Sequence, residues 1–322
     1  MKLYFFALPA LFATTLIAAN SDYAADVSTP EKRAALMERL WRHDERFDTR
    51  LWPADKVPLQ AGKKPLKFLE HELNQSNVVI TDIDEPFFTF FPAQAEGKRP
   101  VAVVLPGGGY LQLGWNKEGT EIARWLNSLG YSAAVLLYRA PNQRDAALCD
   151  VQRAISILRG RAAEFSIRPD RIGVIGFSAG ANLAVRASTN WRQRAYERVD
   201  ALDDISCRPD FQLPIYPWDL LPRVKVEPSG WPVEWRTQGE LKLDGAYPVD
   251  SETPVAFIAQ AQDDFCQIET AVGYYLALRK AGVRAALHIY PAGGHGFGLR
   301  RLGTPVDFWS DAAARWLEDL AK

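Results

Sequence analysis

The chain has 322 residues, with 38 Lys and Arg against 39 Asp and Glu, four histidines and three cysteines. Near-neutral charge without a basic stripe interleaved with aromatics argues against nucleic-acid binding. No His/Cys spacing resembles a metal site, no phosphate-cradling GxxxxGK[ST] motif occurs, and no cofactor is expected. A chain this long suffices for one large domain burying about three quarters of its unfolded surface.

The chain opens with Met1-Lys2 and an uncharged apolar run from Leu3 to Ala19, followed by polar Asn20-Ser21-Asp22. This pattern reads as a signal peptide over residues 1–20 and predicts export. The run is shorter than the about 20 residues a membrane-spanning helix needs, and no cysteine follows it for lipid attachment, so no stable membrane anchor is expected. Residues 21–50 form an expected N-terminal helical extension, with Pro30 to Asp48 helix-prone and charged.

Asn77 to Thr81 and Phe87 to Phe91 are predicted as a pair of strands joined by Asp82-Ile83-Asp84-Glu85-Pro86. From there strands and helices alternate, which predicts an α/β fold with a mostly parallel sheet. Pro100 to Leu105 is a buried-strand run ending in Pro106-Gly107-Gly108-Gly109-Tyr110. Consecutive glycines there let bare backbone N–H groups approach a substrate oxygen. Asp145 to Phe165 is a predicted helix carrying Val151, Ile155, Leu158, Ala162 and Phe165 on one stripe, with its charges on a solvated face.

Arg171 to Ile175 is an apolar strand run that leads into Gly176-Phe177-Ser178-Ala179-Gly180 and then a helical pattern. Strand, G-x-S-x-G and helix together describe a nucleophile elbow, with the Ser178 hydroxyl presented at a helix N-terminus. The N–H of Ala179, with those of Gly108 and Gly109, then forms an expected oxyanion hole.

Phe211 to Tyr216 is the next strand, and after it Pro217 to Tyr247 breaks the alternation with four prolines, Trp218, Trp231 and Trp235. Two readings stand. One is a cap insertion whose aromatics form platforms for a sugar; the other is a surface excursion packed by its own tryptophans. Thr253 to Ala259 is a strand followed by Asp263-Asp264. Asp264 is the expected acid and Asp263 the N-cap of a helix starting near Ile268. The final helix, Pro305 to Leu320, is expected to bury Phe308, Trp309, Ala312, Trp316 and Leu320.

A nucleophilic serine needs a base. In α/β-hydrolases the chain order is Ser, acid, His, which leaves His288 and His295. His288 lies inside the predicted strand Ala285 to Tyr290, where its side chain is fixed against a sheet face. His295 lies in Gly293-Gly294-His295-Gly296-Phe297-Gly298, a loop that can turn the imidazole toward a neighbour. His295 is therefore the predicted base. The cysteines Cys149, Cys207 and Cys266 allow at most one disulfide, with Cys207–Cys266 the candidate pair.

These motifs resemble an α/β-hydrolase carboxylesterase, close to the acetyl xylan esterase-like carbohydrate esterases related to the hormone-sensitive-lipase group. The resemblance rests on Pro106 to Tyr110, Tyr138-Arg139, Gly176 to Gly180, Asp264 and His295 to Gly298, and runs from about Leu51 to the C-terminus. Two departures stand out. Pro106 replaces the histidine of the family's HGGG loop, and Phe265-Cys266-Gln267-Ile268 replaces a segment containing Val-Pro. The resemblance implies an α/β-hydrolase domain over 51–322 with helices on both sheet faces and a cap-like insertion about 217–247. It also implies a catalytic triad of Ser178, Asp264 and His295, with Tyr110 and Trp218 at the substrate. The implied activity is secreted hydrolysis of short-chain esters, acetyl above all, on plant polysaccharides or oligosaccharides. A general short-chain esterase or a peptidase-like hydrolase is the alternative in the same chemistry. A catalytically silent binding protein on this fold is the alternative of another class.

Overall fold

Apolar runs of β-branched residues and alanine form the centre of an eight-stranded sheet, seen in a computed structural model that describes residues 31, 48–60, 67–68, 77–94, 96–222 and 241–321. The strands, in chain order, are β1 (Asp48–Arg50), β2 (Lys67–Phe68), β3 (Val79–Thr81), β4 (Phe87–Phe91), β5 (Arg99–Leu105), β6 (Leu113–Gly114), β7 (Ser132–Leu137), β8 (Ile167–Phe177), β9 (Phe211–Ile215), β10 (Val255–Ala261) and β11 (Ala285–Tyr290). Among the described residues four α-helices lie between strands, α1 (Glu121–Ser128), α2 (Arg144–Gly160), α3 (Ala179–Thr189) and α4 (Ile268–Lys280), and α5 (Trp309–Ala321) follows the last strand.

The large sheet runs β1-β4-β7-β5-β8-β9-β10-β11. β1–β4 and β4–β7 are antiparallel and every later pairing is parallel. Parallel strands joined by helical crossovers must be covered on both faces. β10 shows this directly. Phe257 faces Trp316 of α5, with ring centroids 6.0 Å apart, whereas Ala256 and Ile258 point the other way into a cluster with Tyr274 and Leu278 of α4. Val101 to Leu105 at the sheet centre are wholly buried, each valine and leucine among them contributing about 1.5–3 kcal/mol relative to exposure.

Tertiary packing corrects several expectations. The strands around residues 79–81 and 87–91 do not pair with each other: β3 joins a small antiparallel sheet, β2-β3-β6, while β4 enters the large one. β1 pairs with β4, so residues 48–50 belong to the main sheet rather than to a helical extension. Helix α2 ends at Gly160, not at Phe165, and has no solvated charged stripe at its centre, because Ala146 to Leu158 are all buried. Its Asp150 is instead paired with Arg139 in the interior, and its buried Arg153 with buried Asp203 and with partly exposed Asp200. At the C-terminus a 3-10 turn, Pro305–Phe308, precedes α5 and turns Phe308 outward, 65% exposed, while Val306, Trp309, Ala313 and Leu317 make the buried contacts. All three cysteines are free, which overturns the Cys207–Cys266 pairing; the Cys207 thiol donates instead to the Trp191 carbonyl.

The expected signal peptide, most of the helix-prone stretch after it, and Trp231 and Trp235 lie outside the described residues. Of the 217–247 segment, both ends are described. Leu220 and Tyr247 are buried against Val185 and Tyr274, and the Tyr247 hydroxyl donates to the Asp219 carbonyl at 2.8 Å. Among the described residues no helix is long and apolar enough to cross a membrane.

Candidate active site

β8 stops at Phe177 and α3 starts at Ala179, leaving Ser178 alone to reverse the chain at φ 53° and ψ −117°. A non-glycine residue holds such a backbone only where its surroundings over-determine it. Two glycines make the turn sterically feasible. A Cβ on Gly176 would lie 2.1 Å from the Gly180 carbonyl oxygen, and one on Gly180 would lie 2.0 Å from that of Leu105. The Ser178 N–H donates to the Ile215 carbonyl at 3.1 Å, anchoring the turn to β9.

His295 approaches from the loop after β11. Its Nε2 lies 2.8 Å from Ser178 Oγ, and its Nδ1 lies 2.8 and 2.9 Å from the two carboxylate oxygens of Asp264. Asp264 is buried, and its oxygens also accept the Cys266 N–H at 2.7 Å and the Gln260 side-chain amide at 3.2 Å. A carboxylate on Nδ1 selects the tautomer that protonates that nitrogen and leaves the Nε2 lone pair facing the serine hydroxyl. Ser178, His295 and Asp264, read separately from the sequence, are thus brought into one hydrogen-bonded line.

Asp263 takes another place than expected. Gln267, not Asp263, is the residue before α4. The Asp263 carboxylate instead accepts the N–H groups of Gly294 at 2.7 Å and Gly293 at 3.3 Å. The Gly294 amide, and then that of Gly293, holds its carboxyl below the usual range. The two adjacent aspartates therefore serve the same loop, one orienting the imidazole and the other bracing the backbone that carries it.

The glycine loop after β5 faces Ser178. Gly108 sits at φ +139°, and a Cβ there would fall 2.0 Å from the Gln112 carbonyl oxygen. Gly107 donates its N–H to Glu118 Oε2 at 2.7 Å. The N–H groups of Gly108 and Gly109 have no acceptor among the described residues, and that of Ala179, first in α3, lacks a partner one turn back. Such free donors can stabilise an oxyanion.

Ser178, His295, Gly108, Trp218, Phe265 and Cys266 line a cleft of about 320 Å³. Trp218 stands on the wall of this cleft, its ring 4.9 Å from the Arg144 guanidinium. Tyr110 does not. It is 1% exposed, outside the cleft lining, and its hydroxyl donates to Asn182 Oδ1 at 2.8 Å. Burial pushes its phenol well above the ordinary value, and its hydroxyl bond ties the end of the glycine loop to α3.

Sequence reasoning missed Glu118 and Tyr216. Glu118 lies in the π-turn Asn116–Thr120, and its Oε1 accepts the Tyr216 hydroxyl at 2.7 Å. That hydroxyl in turn accepts the Gly298 N–H at 3.3 Å, and the Tyr216 ring meets His295 edge-on at 5.1 Å. No local pattern announces this connection. The Phe265-Cys266 departure was the one visible signal near the acid, and both residues do reach the cleft, with the exposed Phe265 ring 4.6 Å from that of His295.

Residues 89–209 match the model of the BD-FAE family. The chain is 32% identical over 229 residues to an acetylxylan esterase of Xylanibacter ruminicola, covering 65% of this chain and 43% of that protein. It therefore spans less than half the length of that curated relative. A solved acetyl ester-xyloside bifunctional hydrolase from Caldicellulosiruptor lactoaceticus superposes with a TM-score of 0.68 at 29% identity, covering 85% of this chain and 96% of that one. An esterase from Thermogutta terrifontis, bound to propionate, shares the fold with a TM-score of 0.60 at 20% identity, covering 82% and 96% of the two chains.

Proposed function

We propose that this chain, whose fold is that of the α/β-hydrolases and whose residues 89–209 match the BD-FAE family, is a serine carboxylesterase that removes short acyl groups, acetyl above all, from plant polysaccharides or their oligosaccharides. The observation that carries the chemistry is the line Asp264–His295–Ser178, with 2.8 Å at each link, beside amides that have no acceptor among the described residues.

Ser178 Oγ attacks the ester carbonyl as His295 Nε2 takes its proton, and Asp264 stabilises the imidazolium. The carbonyl oxygen becomes an oxyanion and accepts N–H groups from Gly108, Gly109 and Ala179, each such donor lowering the barrier by about 3–4 kcal/mol in related chemistry. The tetrahedral species collapses, the C–O bond to the alcohol breaks, and the imidazolium returns the proton to the departing sugar hydroxyl. Water then attacks the acyl-serine with His295 again as base, and the carboxylic acid leaves.

The sugar half of the proposal draws support from the names of the Xylanibacter and Caldicellulosiruptor proteins and from Trp218 on the cleft wall, an aromatic surface suited to a pyranose face. The apolar run Leu3 to Ala19 supports export. The test is acetate release from acetylated xylan beside a panel of p-nitrophenyl acyl esters, with Ser178→Ala as control. Acetate release lost in the control supports the assignment, and an inert wild-type protein would point to a silent binder. Trp218→Ala should impair acetylated xylo-oligosaccharide far more than p-nitrophenyl acetate, since remote binding energy is available only from the sugar. Equal impairment would favour the general short-chain esterase.

A further inference from the structure

Cys266 is a cleft residue that the hydrolytic chemistry leaves unused. Its Sγ lies 3.8 Å from His295 Nε2, the same nitrogen that faces Ser178 Oγ at 2.8 Å. The ligand atoms of Asp264, Cys266 and His295 all fall within 4.8 Å of one another. A tetrahedral cation with a sulfur at about 2.3 Å and an imidazole nitrogen at about 2.0 Å holds those two atoms about 3.5 Å apart. The observed separation of 3.8 Å differs from that by an amount a side-chain rotation absorbs. Asp264 on Nδ1 adds the second condition. A carboxylate on the far nitrogen of an imidazole fixes the tautomer that ligates through Nε2 and makes that nitrogen a better donor.

We propose that Cys266 Sγ and His295 Nε2 form a binding site for a thiophilic divalent cation, Zn²⁺ or Cd²⁺, whose occupancy shuts off Ser178. The S–H bond breaks as the metal–sulfur bond forms, and the thiol proton leaves to solvent. The sulfur and Nε2 each supply an electron pair, and the remaining positions face the cleft toward Ser178 Oγ and water. With its lone pair on the metal, Nε2 no longer accepts the serine proton, so the nucleophile is inert while the cation stays.

The surroundings also set which cations compete. The two donors are a thiol sulfur and an imidazole nitrogen, and the sulfur binds only as the thiolate, so a cation must displace the thiol proton. That demand favours cations with high affinity for sulfur and excludes Mg²⁺ and Ca²⁺, which prefer oxygen. Cys266 itself is 5% exposed but lines the cleft, so an ion entering by the substrate's route reaches it.

Binding and inhibition are tested separately, because only inhibition rests on the esterase assignment. Chelator-treated protein is titrated with Cd²⁺ while the ultraviolet thiolate-to-metal charge-transfer band is followed. A band saturating at one equivalent in the wild type and missing from Cys266→Ala is expected; the same band in the variant would place the metal elsewhere and overturn the site. In parallel, Zn²⁺ is titrated against p-nitrophenyl acetate turnover. Measured against each variant's own zinc-free turnover, Cys266→Ala and Cys266→Ser should raise the half-inhibitory Zn²⁺ concentration by at least about 10–100-fold, the scale at which even supporting residues alter metal affinity. Wild-type zinc sensitivity in both variants, or inhibition by Mg²⁺ at the same concentrations, would refute the proposal. A protein inert toward esters would void the esterase reading and leave the Cd²⁺ band to decide the site.

Discussion

Glu118 accepts the Gly107 N–H through Oε2 at 2.7 Å and the Tyr216 hydroxyl through Oε1 at 2.7 Å, so one buried carboxylate ties the glycine loop to the strand end beneath His295. The Gly107 N–H is thereby occupied, while those of Gly108 and Gly109 have no acceptor among the described residues. Glu118 thereby braces the glycine loop that follows Pro106. Glu118→Ala should lower kcat by about 10²-fold, the scale of losing one oxyanion donor, with KM little changed. Glu118→Gln, which keeps an acceptor for Gly107, should recover part of the loss. Steady-state kinetics on a chromogenic ester checks this; a change confined to KM would speak against a role in the transition state.

The two neighbouring aspartates should separate cleanly. Asp264→Asn removes tautomer control over His295 and should cost about 10⁴-fold in kcat. Asp263→Asn retains an acceptor for the Gly293 and Gly294 amides and should cost far less. Reversed ranking in the same assay would mean that the carboxylates exchange places in solution.

Arg139 and Asp150 form a fully buried pair, Nη2 to Oδ1 2.8 Å, reinforced by the Arg139 N–H at 3.0 Å and by the Trp52 indole at 2.8 Å. Removing one partner strands a charge in the interior, so Arg139→Ala should destabilise the protein by about 3–5 kcal/mol. Denaturant unfolding measures the loss, and a midpoint close to wild type would show that water or rearrangement takes over the carboxylate.

His288 gives stability a pH dependence independent of catalysis. Its ring stacks on Phe257 at 4.8 Å, and burial lowers its pKa below the ordinary imidazole value. The folded state therefore favours the neutral ring. Its stabilising effect is complete above the unfolded pKa and fades as pH falls through that value toward the folded one, where the unfolded chain binds the extra proton. Between about pH 8 and pH 5, the interval in which imidazole titrates, His288→Gln should lose less melting temperature than the wild type. Equal losses in both proteins would assign the acid sensitivity to other groups.

Much of the candidate site was legible because its geometry is local. A strand, Gly176, Ser178 and Gly180 in fixed spacing announce a turn that only glycines permit, and the observed 2.1 and 2.0 Å clearances show why. The glycine loop at Gly107 to Gly109 and the His295 loop were legible for the same reason. Apolar runs such as Val101 to Leu105 likewise announce buried strands through their own composition.

What the sequence by itself determined, then, is where the chain must turn, which runs must be covered and which residue types the chemistry offers. Only the tertiary structure decided partners. Tyr216 and Glu118 meet across 98 positions of chain, and Asp263 reaches Gly294 across 31. The charges of Asp150 and Arg153 looked like a solvated helix face until Arg139, Asp200 and Asp203 were seen packed against them. Tyr110 looked like a substrate contact until Asn182 took its hydroxyl. The physical reason is common to all of these. Steric limits on a turn act between neighbours and are written in short motifs, whereas a buried charge or hydroxyl is satisfied by whatever the folded chain brings within about 3 Å, and that distance is set by the packing of the whole sheet.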